Sequence, residues 1–215
     1  NTKKFITHIF GEQTEIGFDY LQLLYLKPTQ ILPILCLVSK ERATGKSTFL
    51  KWLKEIFEYN LTYLTNDSFS SNFNADWASK LLICIDEVLF QTEILTERIK
   101  YLSTTNVNKI EAKGKDRKEI EFFGKFILCS NNETSFIKID ADEIRFWVRK
   151  IDSYEKEDVH FLSKLIKEIP AFLYFLSKRQ LSTENKSRMW FTPHQIKTKA
   201  LQKLVKFNCN KLESE

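Results

Sequence analysis

Apolar residues in this chain come in short runs, separated by stretches with a different spacing. "ILPILCLVS" (31–39), "KLLICIDEV" (80–88) and "KFILCSNN" (125–132) are apolar runs that end in polar residues. Runs of that length, bounded by turn residues, predict strands buried on both faces. "LTYLT" (61–65) and "RFWVRKI" (145–151) predict two more. Between the runs the spacing changes. Phe49, Leu50, Trp52, Leu53, Ile56 and Phe57 mark one helix face, and Leu95, Ile99 and Leu102 mark another. Upstream, "FDYLQLLYL" predicts a short helix ended by Pro28. After Asp152 the pattern turns helical, and Pro170 is placed to open a helix at its first turn. Buried strands alternating with helices predict an α/β fold built on a mostly parallel five-stranded sheet. The expected organisation is a helical lead-in over 1–30, a core over 31–151 and a C-terminal helical extension over 152–215.

Composition narrows the class. Of the 215 residues, 43% are hydrophobic, which argues against disorder, and no apolar run reaches membrane-spanning length. "NTKKFITHIFGEQ" lacks the apolar core of a secretory leader, so a cytoplasmic location is expected. The chain begins with Asn1 rather than Met, as a piece cut from a longer protein would. Cys36, Cys84 and Cys129 sit inside strand-like runs, Cys209 lies near the end, and none has metal-ligand spacing. They read as small buried hydrophobes. The net charge of +5 is compatible with a nucleic-acid partner, and lysines cluster at 113–118 and 197–206.

The candidate chemistry begins where the first buried run gives way to a helix. "SKERATGKST" carries Gly45, Lys46 and Ser47 where a phosphate-binding loop has its Gly-Lys-Ser, with Lys40 in the place of the first glycine. A strand, a tight turn and a helix start gather backbone N–H groups around one point, and the helix dipole adds positive potential there. Glu41, Arg42, Ala43 and Thr44 would line the turn, and Gly45, Lys46, Ser47 and Thr48 would close it over a nucleotide. Lys46 supplies a charge for the terminal phosphates, and the Ser47 hydroxyl a ligand for Mg²⁺. The bland reading of the same residues is a solvated helix start with Thr44 as its cap. Asp86 and Glu87 end the next buried run. Carboxylates at the C-terminal end of a parallel strand face the ligand crevice. Asp86 is assigned to the metal and Glu87 to the base that activates water. Asn131 ends a third run, where it could reach the γ-phosphate and the attacking water. Arg145 has two readings: an ion pair with Asp142 or Glu143, or an arginine finger acting on a neighbouring subunit's phosphate.

These elements, in this order, resemble a superfamily 3 helicase, an AAA+ ATPase of the type found in phage and mobile-element primase–helicase proteins. "SKERATGKSTFLKWL", "LLICIDEV", "EAKGKDRKEIEFFGKFILCSNN" and "EIRFWVRKID" carry the resemblance. It implies an AAA+ P-loop NTPase core. Lys46 and Ser47 would act in the first motif, Asp86 and Glu87 in the second, Asn131 as sensor and Arg145 as finger. It implies that "KGKDRKE" is a hairpin projecting into a central pore, with Lys113 and Lys115 as the DNA contacts. ATP and Mg²⁺ are the implied cofactors. Single-stranded DNA and further copies of the chain, in a ring expected to be a hexamer, are the implied partners, in a bacterial or phage-infected cell. Phe122 and Phe123 could stack on bases or belong to the core, and the lysines could be a solvated hairpin tip. Two other readings stay open: a P-loop small-molecule kinase, and a DNA-binding assembly module that no longer hydrolyses ATP. The basic stretch 184–207 either covers the core or touches nucleic acid.

Overall fold

The computed structural model describes residues 1–90, 92–140, 142–154 and 158–212. Of the expected extension, 155–157 and 213–215 therefore lie outside the described residues. Helices α1 (Thr2–Phe10) and α2 (Thr14–Leu26) lead into strand β1 (Ile34–Val38), and α3 (Lys46–Phe57) follows directly. Next come β2 (Leu61–Leu64), the short α4 (Asn66–Ser70), β3 (Leu82–Ile85) and α5 (Glu93–Leu102). A hairpin of β4 (Val107–Ile110) and β5 (Lys118–Glu121) precedes β6 (Lys125–Ser130) and β7 (Phe146–Lys150). Helices α6 (Phe161–Lys167), α7 (Ile169–Lys178), α8 (Pro193–Ile196) and α9 (Lys199–Leu212) complete the chain. No helix among the described residues is long and apolar enough to cross a membrane.

The five predicted strands form one sheet in the order β2-β3-β6-β1-β7, and each neighbouring pair is parallel. The C-terminal ends of β1, β6 and β3 therefore lie side by side along one edge. Sheet order places β6 between the loop-bearing strand and the acidic strand, which the sequence does not reveal.

Alternate side chains feed two cores, because successive residues of a strand point to opposite faces. Leu35, Leu37, Cys84, Ile127, Cys129 and Trp147 join α1, α2, α3, α6 and α7 on one face. Ile34, Cys36, Val38, Ile83, Ile85, Phe126 and Leu128 pack with Ile99 of α5 and Leu201 and Leu204 of α9 on the other. Helix α1 belongs to the first core: Phe5, Ile6, Ile9 and Phe10 are fully buried. Their spacing is helical, so the signal for α1 was present in the sequence although only α2 was predicted. The basic C-terminal stretch packs on the core. The Thr198 hydroxyl donates to the Val148 carbonyl on edge strand β7 at 2.5 Å. Gln13 donates to the Gln195 carbonyl at 2.7 Å and accepts from the Trp147 indole at 2.7 Å. An exposed strand edge invites pairing with other chains, and this cover blunts it.

Candidate nucleotide site and its distant partners

The loop between β1 and α3 is held in shape from outside itself. Gly45 has φ +88°, a left-handed conformation open to glycine at no steric cost. A side chain there would also meet the Phe5 ring at 2.9 Å, so α1 presses against the loop. Ala43 takes φ +54°, rare for a residue with a Cβ, while Lys40 is not among the residues with positive φ. The Thr44 carbonyl accepts from His8 Nε2 at 3.0 Å, which fixes a proton on that nitrogen. The Ala43 carbonyl accepts from the Tyr154 amide at 3.1 Å, and Glu41 Oε2 accepts from the Ser153 amide at 3.1 Å. Glu41, Arg42 and Ala43 are exposed, as is Ser47, while Gly45 and Thr48 are half-buried. Thr44 is buried and does not cap α3. The cap position is Gly45, and the Thr44 hydroxyl turns instead toward Ser39 and Lys46.

Lys46 is 7% exposed. Its ammonium donates to the Ser39 hydroxyl and, at 3.4 Å, to Thr44 Oγ1. Burial pulls its pKa down, and the nearby Asp86 carboxylate pulls the other way. A buried ammonium that meets only hydroxyls keeps a strong field for an anion entering the loop.

The end of β3 turns toward that loop. Asp86 Oδ2 accepts from the Ser47 hydroxyl at 3.3 Å, and Oδ1 accepts from the Glu87 amide at 3.1 Å. These two oxygen donors, with water and phosphate oxygens, are a set that suits Mg²⁺. Glu87 is exposed and has φ +58°. Its conformation is braced by Asn66, whose Nδ2 donates to the Glu87 carbonyl at 3.2 Å and whose Oδ1 accepts from the Leu89 amide at 3.1 Å. Non-glycine residues in left-handed backbone concentrate at functional sites. Among the described residues two such positions, Ala43 and Glu87, lie at the expected site, and Glu58 and Trp190 lie elsewhere. At the end of β6 the two asparagines part ways. Asn132 is spent on a turn, accepting from the Thr134 and Ser135 amides and donating to Ser135 Oγ. Asn131 is exposed and its side chain has no hydrogen-bond partner among the described residues. Residues 46, 47, 86, 87 and 131 thus lie at or just beyond the C-terminal ends of the neighbouring strands β1, β3 and β6, with Ser47 and Asp86 in direct contact.

Arg145 and the hairpin lysines lie elsewhere. Arg145 immediately precedes β7, whose Phe146 pairs with Ile34 and whose Lys150 pairs with Val38. It therefore sits at the opposite edge of the sheet, ~17 Å from the end of β1 at the usual strand rise. Its ion pair is with Glu143, whose Oε1 and Oε2 both accept from Nη1, at 3.0 and 2.9 Å, and not with Asp142. Nor is it a loose surface pair, because the Glu143 side chain is 3% exposed and Lys100 reaches the same carboxylate oxygen, Oε2, at 3.3 Å. The guanidinium Nε has no partner among the described residues. Lys113 and Lys115 occupy the exposed turn of the β4–β5 hairpin, around Gly114 at φ +73°. Asn74 fixes the hairpin root, accepting from the Glu111 amide and donating to the Lys109 carbonyl, both at 2.8 Å. Phe122 is 2% exposed and Phe123 packs against the sheet core, so neither is free to stack on a base.

Three residues at the loop carry no sequence signal: His8, Tyr154 and Glu133. His8 and Tyr154 come from distant segments. Glu133 is 5% exposed and binds Lys203 of α9 at 2.9 Å and Lys150 at 3.6 Å. Burial works against its charge, but Lys203, Lys150 and the Lys40 amide together hold its carboxyl below the usual range.

Known proteins can be set beside this geometry. Among curated proteins no match to the sequence is found. Solved structures of the NrS-1 C-terminal region share the fold. An apo structure of residues 305–718 superposes with a TM-score of 0.82 at 19% identity over 96% of this chain and 50% of that one. An A-form apo structure gives 0.81 at 20% identity with the same coverage. The chain thus spans about half the length of those structures. A structure of JCV helicase matches loosely, with a TM-score of 0.41 at 15% identity over 100% of this chain and 62% of that one. Residues 37–149 run from β1 to β7 and hold the loop, both carboxylates, Asn131 and Arg145. They match the profile described as a family of unknown function (DUF5906), and the chain belongs to that family.

Proposed function

We propose that the chain is the ATP-hydrolysing core of a superfamily 3-type DNA helicase, acting on single-stranded DNA in the replication of phage or mobile-element genomes. The observation that carries this reading is the meeting of Ser47 and Asp86 at 3.3 Å, beside the buried Lys46 ammonium. Lys46 and the loop amides would hold the β- and γ-phosphates. Ser47 and Asp86 would hold Mg²⁺, which lowers the charge repulsion between the transferring phosphate and its nucleophile. Among the described residues no cluster of three acidic, histidine or cysteine side chains offers a metal cage. A site with two protein donors that takes its other ligands from phosphate and water is normal for Mg²⁺.

Glu87 would accept the proton of the attacking water, and Asn131 would orient that water against the γ-phosphate. Inorganic phosphate leaves and ADP remains. Arg145 is too far from its own loop to touch that phosphate, so as a finger it serves the site of an adjacent copy. That requires a closed ring, expected to be hexameric. Lys113 and Lys115 would grip DNA phosphates without reading sequence, so binding should weaken with salt. Replication proteins of this kind work in the cytoplasm of a bacterial or phage-infected cell.

Steady-state ATP hydrolysis, measured with and without single-stranded DNA, tests the proposal. Activity should rise with DNA, and Lys46→Ala should lose it by at least about a hundredfold. A Lys46→Ala variant with undiminished turnover refutes the loop assignment. Phosphate transfer to an added nucleoside, with no response to DNA, would mark a small-molecule kinase instead.

A further inference from the structure

Helix α5 carries a buried cation that has no part in the phosphate loop. Lys100 follows Ile99 on the buried side of the helix and is 6% exposed. A charge in that position is costly unless it is paired. Its ammonium meets three carboxylates, Glu97 at 2.7 Å and Asp140 and Glu143 at 3.3 Å. Glu97 and Asp140 are exposed, so water and salt screen them. The Glu143 side chain is buried, and both its oxygens are engaged. Oε1 accepts from the Ile144 amide at 3.0 Å, from the Arg145 amide at 2.9 Å and from Arg145 Nη1. Oε2 is shared between Arg145 Nη1 and Lys100. Burial works against the charge on Lys100, but Glu97, Asp140 and Glu143 together hold its pKa above the ordinary lysine value.

We propose that Lys100 is a positioning residue for the arginine finger: it balances the charge of Glu143, and so leaves the Arg145 guanidinium oriented and still positive toward the phosphate of an adjacent copy. The proposal rests on the reading of Arg145 as that finger. Of the three linked groups, Lys100 and Glu143 cancel, and the half-buried guanidinium keeps a net charge. Without Lys100, Glu143 cancels Arg145 instead. An incoming phosphate then meets a dipole rather than an ion, and the attraction falls off faster with distance. The buried carboxylate, left with one close cation, also draws the guanidinium onto itself. The backbone at position 100 is held independently of the side chain. Its carbonyl accepts from the Ser103 hydroxyl at 2.9 Å and from the Thr104 hydroxyl at 3.2 Å. Substitution of Lys100 should therefore disturb the ion pair and spare the helix.

Steady-state ATP hydrolysis by the whole chain, alone and in mixtures, tests this. Lys100→Met and Lys100→Gln both remove the charge. Each should lower kcat by at least about tenfold and leave KM for ATP within about twofold of the wild type, because a finger acts on the transition state. Lys100→Arg keeps the charge and should recover most of the lost turnover. Mixing locates the defect. Lys46→Ala copies carry an intact finger, so a one-to-one mixture with Lys100→Met should recover about a quarter of wild-type turnover under random assembly. Arg145→Ala copies carry an intact loop and no finger, so their mixture with Lys100→Met should stay at the level of the defective copies. A Lys100→Met chain that does not bind ATP has not folded, and Lys100→Gln then carries the same comparisons. Recovery with Arg145→Ala, recovery with neither variant, or wild-type turnover in Lys100→Gln overturns the proposal and leaves the finger reading standing. If Lys46→Ala and Arg145→Ala do not complement each other, the finger reading and this proposal fall together.

Discussion

Two buried lysines show how much a side chain's role depends on its partners. Lys46 meets hydroxyls, and its neighbour Ser47 donates to the Asp86 carboxylate. Lys125 starts β6 at the other edge of the sheet, is 3% exposed, and donates to the Pro28 carbonyl and to the Phe123 carbonyl at 2.6 Å. Burial brings its pKa down to about 8. Below that pH both folded and unfolded chains hold the proton, and folding carries the full cost of a desolvated charge. Between about 8 and the ordinary lysine value the unfolded chain binds more protons, so stability rises with pH, by at most about 1.4 kcal/mol per pH unit. Chemical denaturation from pH 7 to 10 should show this rise in the wild type and a flatter profile in Lys125→Met. Identical slopes would refute the assignment. Motif spacing picked out Lys46. Nothing around Lys125 marks it in sequence, since its carbonyl partner at Pro28 lies 97 positions away.

At the scale of elements, the strands were legible and their arrangement was not. The inner strands β1, β3 and β6 are buried along their whole length because helices cover both faces, and their apolar runs are a local signal. Sheet order, the cover over β7 and the bracing of the loop by α1 are contacts between remote segments, which leave no periodicity to read. The hairpin strands β4 and β5 were equally faint, being polar and largely exposed. Glu133 is the clearest of these hidden links. It joins α9 through Lys203 and β7 through Lys150 to the turn at Lys40. Lys203→Met leaves a buried carboxylate with fewer partners and should cost about 1–2 kcal/mol in urea unfolding. Combined with Glu133→Gln, it should add clearly less than the sum of the two single losses, because both remove one interaction. Additive losses would show that α9 and the loop are not coupled through Glu133.

The whole molecule separates its expected working parts by the depth of the sheet. The crevice at Lys46 faces one edge, and Arg145 sits at the other. The proposed chemistry, with Arg145 as finger, therefore needs a neighbour placed with its Arg145 edge against the loop. The buried Glu143 carboxylate holds one side of the Arg145 guanidinium, which keeps further N–H donors for a second partner. The pair therefore orients the arginine without exhausting it. Arg145→Ala should abolish most hydrolysis while ATP still binds, and Lys46→Ala should abolish it for the opposite reason. Mixing the two inactive variants is the decisive arrangement. Where the Arg145→Ala copy supplies the loop and the Lys46→Ala copy supplies the arginine, the shared site is intact. With random assembly about one interface in four has that composition, so a one-to-one mixture should recover about a quarter of wild-type turnover. A mixture that assembles but stays inactive would remove Arg145 from the chemistry and leave it as the partner of Glu143 alone.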